Sequence, residues 1–263
     1  MQTIHTILKQ YYGYDQFRPL QEDIINSVLA GQDTLALLPT GGGKSLCFQI
    51  PALYMEGICI VVTPLIALMK DQVHNLKKRN IEAIAIYSGM SYKETDAALD
   101  SCVYKDIKFL YVSPERLLTE MFRERVKKMK LNLIAIDEAH CISQWGYDFR
   151  PPYLQIAELR PLFPSVPVIA LTASATTKVC EDIQDKLQFK KRNIFRSSFV
   201  RPNLSFIVRE TDNKEEKLIE ILRNVPGTGV VYVRNRKKTK DIADFLLRKK
   251  ISANFYHAGL EHE

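Results

Sequence analysis

The stretch from Leu38 to Ser45 constrains the fold of this chain more than any other. It reads Leu-Pro-Thr-Gly-Gly-Gly-Lys-Ser and lies between an apolar run that ends at Leu38 and a helix-like run that begins at Leu46. Glycines in such a turn let successive backbone N–H groups face one anion, and the N-terminus of the following helix adds partial positive charge. A strand, a glycine-rich turn and a helix in this order predict a phosphate-binding loop.

Each residue type in this loop suits one part of a nucleoside triphosphate. Lys44 is placed to reach the terminal phosphates, and the Ser45 hydroxyl is placed to hold Mg²⁺. The usual pattern begins with glycine at the position of Leu38, so only the second half of the motif is intact. A glycine-rich turn with a solvated lysine is the alternative interpretation. The preceding residues of the predicted phosphate site are Thr40, Gly41, Gly42 and Gly43.

Strand-like and helix-like patterns alternate along the chain. Several strands are apolar throughout, for example Ile58 to Val62, as a parallel sheet covered on both faces requires. The pattern predicts a doubly wound α/β domain with ligands at the carboxyl ends of the strands. The expected strands are 34–38, 58–62, 83–87, 108–112, 131–136, 166–171, 204–208, 229–233 and 253–256. The expected helices are 1–12, 21–30, 44–55, 66–79, 93–102, 117–129, 153–162, 176–187, 214–224 and 236–250.

Two acids follow the apolar strand that ends at Ile136. Asp137 can hold Mg²⁺ against the phosphates, and Glu138 can orient or deprotonate an attacking water. Acids after a strand are common, but together with Lys44 this pair predicts a nucleoside triphosphatase. His140, three residues after Asp137, is by itself more typical of a structural or capping histidine.

A polar segment upstream of the first strand is a candidate for base recognition. The Gln21 amide can both accept from and donate to the N6/N7 edge of adenine, and Tyr14 or Arg18 can stack on the base. Pro19 suits the first turn of a helix. An ordinary solvated start of a helix explains the same residues.

The segment after the acids holds the only tryptophan of the chain, Trp145, with Phe149 and Arg150 close behind it. Aromatic faces beside a cation form a stacking surface for single-stranded bases, although packing in the core is the alternative. Further along, Thr172 and Ser174 follow strand 166–171. Their hydroxyls can bond to the acid cluster and to a neighbouring segment, or simply cap the next helix.

The composition of the chain indicates which binding partners and which kinds of site to expect. The chain carries 37 Lys and Arg against 30 Asp and Glu, a net charge of +7, and the excess lies mainly after residue 195, which makes polyanions such as nucleic acid plausible partners. The five cysteines form no C-x-x-C pair, so a zinc site is not expected. No apolar run reaches the ~18 residues of a membrane span.

Several longer motifs recur in one order and resemble RecQ-type DNA helicases of superfamily 2. The resemblance covers nearly the whole chain, and the string after Asp137 is its most specific part. The motifs are Gly13 to Pro19, Pro39 to Ser45, Pro64 to Gln72, Ser113 to Leu117, Asp137 to Gly146, Phe149 to Pro151, Arg201 to Leu204 and Tyr256 to Leu260.

The resemblance implies ATP-driven, Mg²⁺-dependent 3′ to 5′ DNA unwinding in recombination and repair, in bacterial cytoplasm or a nucleus. It implies an adenine site at Tyr14, Arg18 and Gln21, and phosphate and metal binding at Gly43, Lys44 and Ser45. It implies catalysis by Asp137 and Glu138. It also implies that DNA binding is coupled to hydrolysis through Trp145, Phe149, Arg150 and the segment from Thr172 to Thr176. Two residues depart from the family pattern. Leu20 replaces a glycine, and the unchanged spacing of Arg18 and Gln21 should tolerate this change. Tyr147 replaces a histidine, so the polar contacts of the aromatic loop are expected to differ from those of the family.

The resemblance also predicts a domain division. Residues 1–204 form a first RecA-like lobe and residues 205–263 the truncated start of a second, without the later arginine motif or the zinc-binding and winged-helix regions. We therefore expect residues 1–263 to bind ATP and Mg²⁺ but to hydrolyse ATP and unwind DNA poorly. We also expect them to bind single-stranded and branched DNA and to self-associate through an open sheet edge. An RNA helicase motor, or a nucleic-acid-binding module without turnover, is the alternative.

Overall fold

The computed structural model describes residues 3–198, 200 and 203–260. The chain divides into two compact units, Met1–Val200 and Arg201–Glu263. The predicted lobe boundary after residue 204 lies just beyond this division. Of the predicted motif from Arg201 to Leu204, Arg201 and Pro202 lie outside the described residues.

A seven-stranded parallel sheet forms the centre of the first unit. Its order is β3-β4-β2-β5-β6-β1-β7, and every pair is parallel. The carboxyl ends of the strands therefore share one edge, where the polar segments that follow them meet. The strands are β1 (Thr34–Leu37), β2 (Ile58–Val62), β3 (Ala83–Ile86), β4 (Phe109–Val112), β5 (Leu131–Ile136), β6 (Val168–Thr172) and β7 (Ile194–Arg196).

Apolar side chains leave this sheet on both faces and are buried on both. Ile60 and Ile134 belong to one buried cluster, and their chain neighbours Val61 and Ala135 belong to another. The helices of the unit are α1 (Ile4–Ile7), which continues as a π-helical turn over Leu8–Tyr12, α2 (Gln21–Leu29), α3 (Lys44–Tyr54), α4 (Ile66–Lys77), α5 (Tyr92–Tyr104), α6 (Glu120–Val126) and α7 (Thr177–Lys186). This arrangement confirms the predicted doubly wound α/β fold.

The six strands expected between residues 34 and 171 are all present, but β7 was not expected. It has only three residues and pairs with β1 at the edge of the sheet. Ile194 and Arg196 are exposed, so β7 shows no apolar run from which a strand could be predicted.

Two expected helices differ in the structure. The segment 153–162 is largely a 3₁₀ helix, Pro151–Leu159, that starts at two prolines. The segment 117–129 is divided, because Thr119 ends a 3₁₀ turn and its side chain caps the start of α6. In both places a short-range signal, proline or a capping hydroxyl, outweighs the apolar spacing.

A buried ion pair lies at the amino ends of the neighbouring strands β1 and β6. Arg160 Nη1 and Nη2 donate to Asp33 Oδ1 and Oδ2 at 3.0 and 2.7 Å. The same carboxylate accepts the backbone N–H groups of Val168 and Lys190, both at 3.0 Å. Both side chains are buried, so the two charges compensate each other away from water.

The second unit contains α8 (Lys214–Asn224) and α9 (Arg236–Arg248), as expected. The expected strands 204–208, 229–233 and 253–256 are wrong, since none is a strand in the described part of this unit. Their composition favours strands, but none of these segments pairs with another strand in the described part of the second unit. Phe206 and Tyr232 are 94% and 92% exposed. None of the described helices combines the length and apolar character of a membrane span.

Candidate nucleotide site and aromatic loop

The loop between β1 and α3 is shaped by its glycines. Gly41 and Gly43 both have φ of +76°, a left-handed conformation that favours glycine. A Cβ added to Gly42 would lie 2.8 Å from the Pro39 carbonyl oxygen. Gly43 directly precedes α3, and no side chain of the described residues caps that helix. Lys44 and Ser45 thus stand at a helix start with unused backbone donors.

The Gln21 side chain is bonded to this loop. It is almost fully buried, and its Nε2 donates to the carbonyl oxygens of Gly43 and Gly42 at 3.0 and 3.4 Å. Its Oε1 accepts the backbone N–H of Arg18 at 2.9 Å, and the Arg18 guanidinium donates to the Gly41 carbonyl oxygen. Two of the predicted adenine-binding residues therefore hold the phosphate loop in this structure.

Leu20 has φ of +68° and precedes α2. This left-handed conformation is one that glycine adopts freely and that costs an L-residue about 1–2 kcal/mol. A glycine, which the resemblance to RecQ-type helicases implies for this position, would adopt it without that cost. Leu20 retains the conformation and packs, partly buried, against the cluster that includes Ala36.

An open cavity of about 470 Å³ joins the two halves of the predicted nucleotide site. Tyr14, Arg18 and Gln21 line it together with Lys44 and Ser45. Gly41 and Gly43 line it as well, while Thr40 and Gly42 belong to the same loop.

The cavity also has a polar wall formed by residues that were not predicted from the sequence. Tyr12 Oη donates to Gln49 Oε1 at 2.9 Å, and Gln49 Nε2 donates to Gln72 Oε1 at 3.3 Å. The Arg79 guanidinium lies 5.3 Å from the centre of the Tyr12 ring. The sequence signal for this wall is Gln49, the one polar side chain in the apolar run from Leu46 to Leu53.

The two acids follow β5 on the same edge of the sheet. The β5 and β1 strands flank β6, so Asp137 and the loop that holds Lys44 lie two strands apart. Burial, and secondarily the charge of Glu138, raise the pKa of Asp137 from 3.8 to about 6, while the charge of Lys44 acts in the opposite direction. Behind the acid, the buried Tyr153 hydroxyl donates to the Asp137 carbonyl oxygen at 3.0 Å.

Glu138 occupies a left-handed backbone conformation, with φ of +47°, which is uncommon for a residue with a side chain and concentrates at functional sites. Its Oε2 lies 3.3 Å from His140 Nδ1. The same nitrogen lies 2.9 Å from Thr172 Oγ1. Burial lowers the pKa of His140, so the neutral ring links the acid to the hydroxyl at the end of β6.

Replacing Asp137 by asparagine is expected to stabilise the chain at neutral pH. The folded state holds the Asp137 proton more tightly than the unfolded state, because the pKa rises from 3.8 to about 6 on folding. Stability of the unsubstituted chain therefore falls as the pH rises from about 4 to about 6, and asparagine, which does not titrate, removes that loss. We expect a gain of roughly 3 kcal/mol at pH 7 that nearly vanishes at pH 4.

Urea denaturation in EDTA at several pH values measures this effect. Asp71→Asn, on the exposed surface of α4, is the matched control and should show no such pH-dependent gain. If Asp137→Asn gains the same stability at every pH, the raised pKa of Asp137 is not the cause of the gain.

The aromatic loop exposes its largest side chains. Trp145 and Tyr147 are 62% and 76% exposed, whereas Phe149 is partly buried. The ammonium of Lys178, in the first turn of α7, lies 3.1 Å from the centre of the Trp145 ring. Core packing of Trp145, the alternative considered from sequence, is therefore wrong.

Tyr147 makes the polar contact that was in question for this position. Its ring stacks on the His140 ring, with centroids 4.6 Å apart. Its hydroxyl lies 3.3 Å from Ser174 Oγ. Tyr147 thus bridges the histidine beside the acids and the segment after β6.

Arg150 is engaged within the loop. It donates to Asp148 Oδ2 through Nε and Nη2, at 3.2 and 3.0 Å, and to the Pro64 carbonyl oxygen at 3.3 Å. Hydrogen bonding from Arg150 lowers the pKa of Asp148. The predicted nucleic-acid cation therefore connects the aromatic loop to the segment after β2.

One group of potential metal ligands lies in the described residues, formed by His140, Cys141 and Asp148. Burial raises the pKa of the Cys141 thiol to about 12, and the Asp148 carboxylate already pairs with Arg150. We assign no metal to this group. All five cysteines are free and buried.

Comparison with known proteins identifies the family. The model of the DEAD/DEAH box helicase family matches residues 18–183, more than half of the chain. The chain is 42% identical over 260 residues to the ATP-dependent DNA helicase RecQ of Haemophilus influenzae, covering 98% of this chain and 42% of that protein. It is 43% identical over 263 residues to a putative ATP-dependent RNA helicase of Acanthamoeba polyphaga mimivirus, covering 98% of this chain and 47% of the relative.

Solved structures support the same fold. The chain superposes on the DUF1998 helicase MrfA with a TM-score of 0.69 at 17% identity, over 94% of this chain and 40% of that one. At this identity the likeness concerns the fold alone. The chain spans less than half the length of the two relatives described above. The resemblance to RecQ-type helicases is confirmed by the relatives, and the chain belongs to the DEAD/DEAH box helicase family.

Proposed function

We propose that this chain carries the ATP-binding part of a RecQ-type DNA helicase that moves 3′ to 5′ on DNA and acts in recombination and repair. The observation that carries the proposal is the cavity that brings Tyr14, Arg18 and Gln21 together with Lys44 and Ser45. A base-binding end and a phosphate-binding end in one open cavity suit ATP. Relatives named as RecQ DNA helicases support the choice of nucleic acid.

The phosphate end fits a triphosphate. Nothing lies within 4 Å of a Cβ built at Gly41, so the loop leaves open space where phosphate oxygens would enter. Lys44 supplies a positive charge, and the uncapped start of α3 supplies backbone donors. We assign binding of the phosphates to Lys44 and to the loop from Thr40 to Ser45.

The metal end fits Mg²⁺. Ser45 offers a hydroxyl and Asp137 a carboxylate, and oxygen donors of this kind are the ligands that Mg²⁺ prefers. Once bound, the ion would neutralise charge on the phosphate oxygens. Burial and the charge of Glu138 raise the pKa of Asp137 more than the charge of Lys44 lowers it, so a bound cation would favour the ionised carboxylate at this position.

The remaining roles are assigned to groups that flank these. Glu138 is proposed to orient the attacking water and accept its proton, with its side chain positioned by His140. Adenine recognition by Gln21 requires that its amide exchange the loop carbonyls for the base edge. Trp145 and Phe149 are proposed to stack single-stranded bases, and Thr172 and Ser174 to couple that contact to the acids through His140 and Tyr147.

For the polypeptide of residues 1–263 we expect ATP binding with slow turnover. An arginine that stabilises charge at the γ-phosphate typically contributes ~10³–10⁵ in rate, and the stretch Gln-x-x-Gly-Arg-x-Gly-Arg that would supply it does not occur in these residues. We expect the protein to act on single-stranded and branched DNA in cytoplasm or nucleus. Self-association through an open sheet edge of the second unit stays a prediction, although residues 203–260 contain no strand that would supply such an edge.

Binding and turnover assays on residues 1–263 test the proposal. We expect a fluorescent ATP analogue to bind with Mg²⁺, oligo-dT to bind, and phosphate release to stay slow with and without DNA. Brisk DNA-stimulated turnover would contradict the expected slow rate, and failure to bind either ligand would contradict the function. Binding of oligo-U but not of oligo-dT would favour an RNA helicase motor, an alternative that the mimivirus relative's name supports.

A further inference from the structure

Lys178 lies against the face of the only tryptophan of the chain. Its Nζ is 3.1 Å from the centre of the Trp145 ring, although the two residues are far apart in sequence and belong to different elements. Lys178 is exposed, in the first turn of α7. Among the described residues it makes no ion pair with a carboxylate, so its charge is neutralised by no acidic side chain.

Two hydrogen bonds fix the elements on either side of this contact. Ser174, four residues before Lys178, bonds to the Tyr147 hydroxyl at 3.3 Å. The Thr176 hydroxyl accepts the Val179 N–H at 3.3 Å and starts α7. The aromatic loop and the start of α7 are therefore tied together, and Lys178 faces Trp145 from a helix whose first turn is capped.

An exposed aromatic ring beside an unpaired cation matches the chemistry of one nucleotide of a single strand. The base stacks on the ring, and the ammonium binds the adjoining phosphate. The cation–π contact contributes only about 0.5–1 kcal/mol at an exposed site, so a nucleotide can displace the ammonium from the ring at small cost. The displaced Lys178 remains close enough to bind the phosphate.

We propose that Lys178 is a single-stranded nucleic-acid contact, and that its ammonium moves from the Trp145 ring to the phosphate of the nucleotide whose base stacks there. This inference rests on the proposed function. It adds to the aromatic loop a binding residue on α7, directly after the segment from Thr172 to Thr176. Occupation of the site by nucleic acid therefore replaces a contact that connects the loop with α7.

The test compares Lys178→Met with Lys186→Met in the 263-residue chain. Lys186 is an exposed lysine in the last turn of the same helix and is the matched control. Emission of Trp145, the single tryptophan, reports oligo-dT binding without a label. Affinity is measured from 50 mM to 400 mM salt. Lys178→Arg, which keeps the charge, is the rescue variant.

We expect Lys178→Met to bind oligo-dT more weakly, by up to roughly tenfold at 50 mM salt, and to reduce the slope of log affinity against log salt by about 0.7, the value for one lost phosphate contact on a single strand. Lys186→Met and Lys178→Arg should keep the slope of the unsubstituted chain. Without DNA, only Lys178→Met should change Trp145 emission.

Three results would overturn the inference. Equal slopes for Lys178→Met and the unsubstituted chain would show that Lys178 binds no phosphate. Tighter binding by Lys178→Met would show that the ammonium only blocks the ring. If the unsubstituted chain binds no oligo-dT at all, the proposed function fails and the inference fails with it, whereas the first two results leave the proposed function intact.

Discussion

Replacing Arg160 by leucine is expected to lower the free energy of unfolding by about 3–5 kcal/mol, the usual effect of removing one partner from a buried ion pair. The substitution leaves the Asp33 carboxylate buried with only the backbone N–H groups of Val168 and Lys190 as donors. It also removes the bond from Arg160 Nη1 to the Val166 carbonyl oxygen. Urea denaturation followed by far-ultraviolet circular dichroism measures the loss.

The control is Arg192→Leu, which removes an arginine that pairs with Asp185 and Glu181 at the exposed surface. Surface pairs contribute about 0–1 kcal/mol, so this variant should unfold almost as the unsubstituted chain does. The double variant Asp33→Asn with Arg160→Leu should recover part of the loss, because no uncompensated charge remains buried. Equal losses for Arg160→Leu and Arg192→Leu would show that the buried pair has no special role.

Replacing Lys44 by alanine is expected to weaken ATP binding about 10- to 100-fold. A hydrogen bond to a charged group contributes about 1.5–3 kcal/mol, and each 1.4 kcal/mol is a factor of ten in affinity. Lys44 is the first residue of α3 and lines the cavity, so its ammonium is the charge nearest to the proposed phosphates on that helix. Titration with a fluorescent ATP analogue in Mg²⁺ measures the change.

Lys77→Ala, an exposed lysine at the end of α4, is the control and should bind the analogue as the unsubstituted chain does. Urea denaturation establishes that Lys44→Ala is folded. Binding by Lys44→Ala within about twofold of the unsubstituted chain, a difference of only ~0.4 kcal/mol, would rule out this lysine as a phosphate ligand.

The sheet of the first unit was largely predictable because its strands are buried on both faces. A strand such as Ile58 to Val62 must be apolar throughout, and this leaves a clear signal in the sequence. The exposed edge strand β7 leaves none. The second unit shows the opposite error, since 229–233 has the composition of a strand, but composition does not supply a pairing partner.

The site was predictable where residues adjacent in sequence act together, and not where distant ones meet. Gly43, Lys44 and Ser45 predict a phosphate loop, because their spacing alone places them at the start of a helix. The contact between Trp145 and Lys178 depends on how the aromatic loop folds back on α7, which no local pattern encodes. For the same reason the residues indicated that Gln21 could bind a base, but not that its amide is already occupied.

The bonds from Arg18 and Gln21 to the glycine loop bear on how fast a nucleotide can enter. The Gln21 amide that is proposed to bind the base already donates to the carbonyl oxygens of Gly42 and Gly43. A nucleotide that arrives therefore cannot bind the phosphate loop and the Gln21 amide at the same time. One end must bind first, and the exchange of hydrogen bonds follows as a separate, unimolecular step. The observed association rate then reaches a ceiling as nucleotide concentration rises, and this ceiling measures how often Gln21 releases the loop.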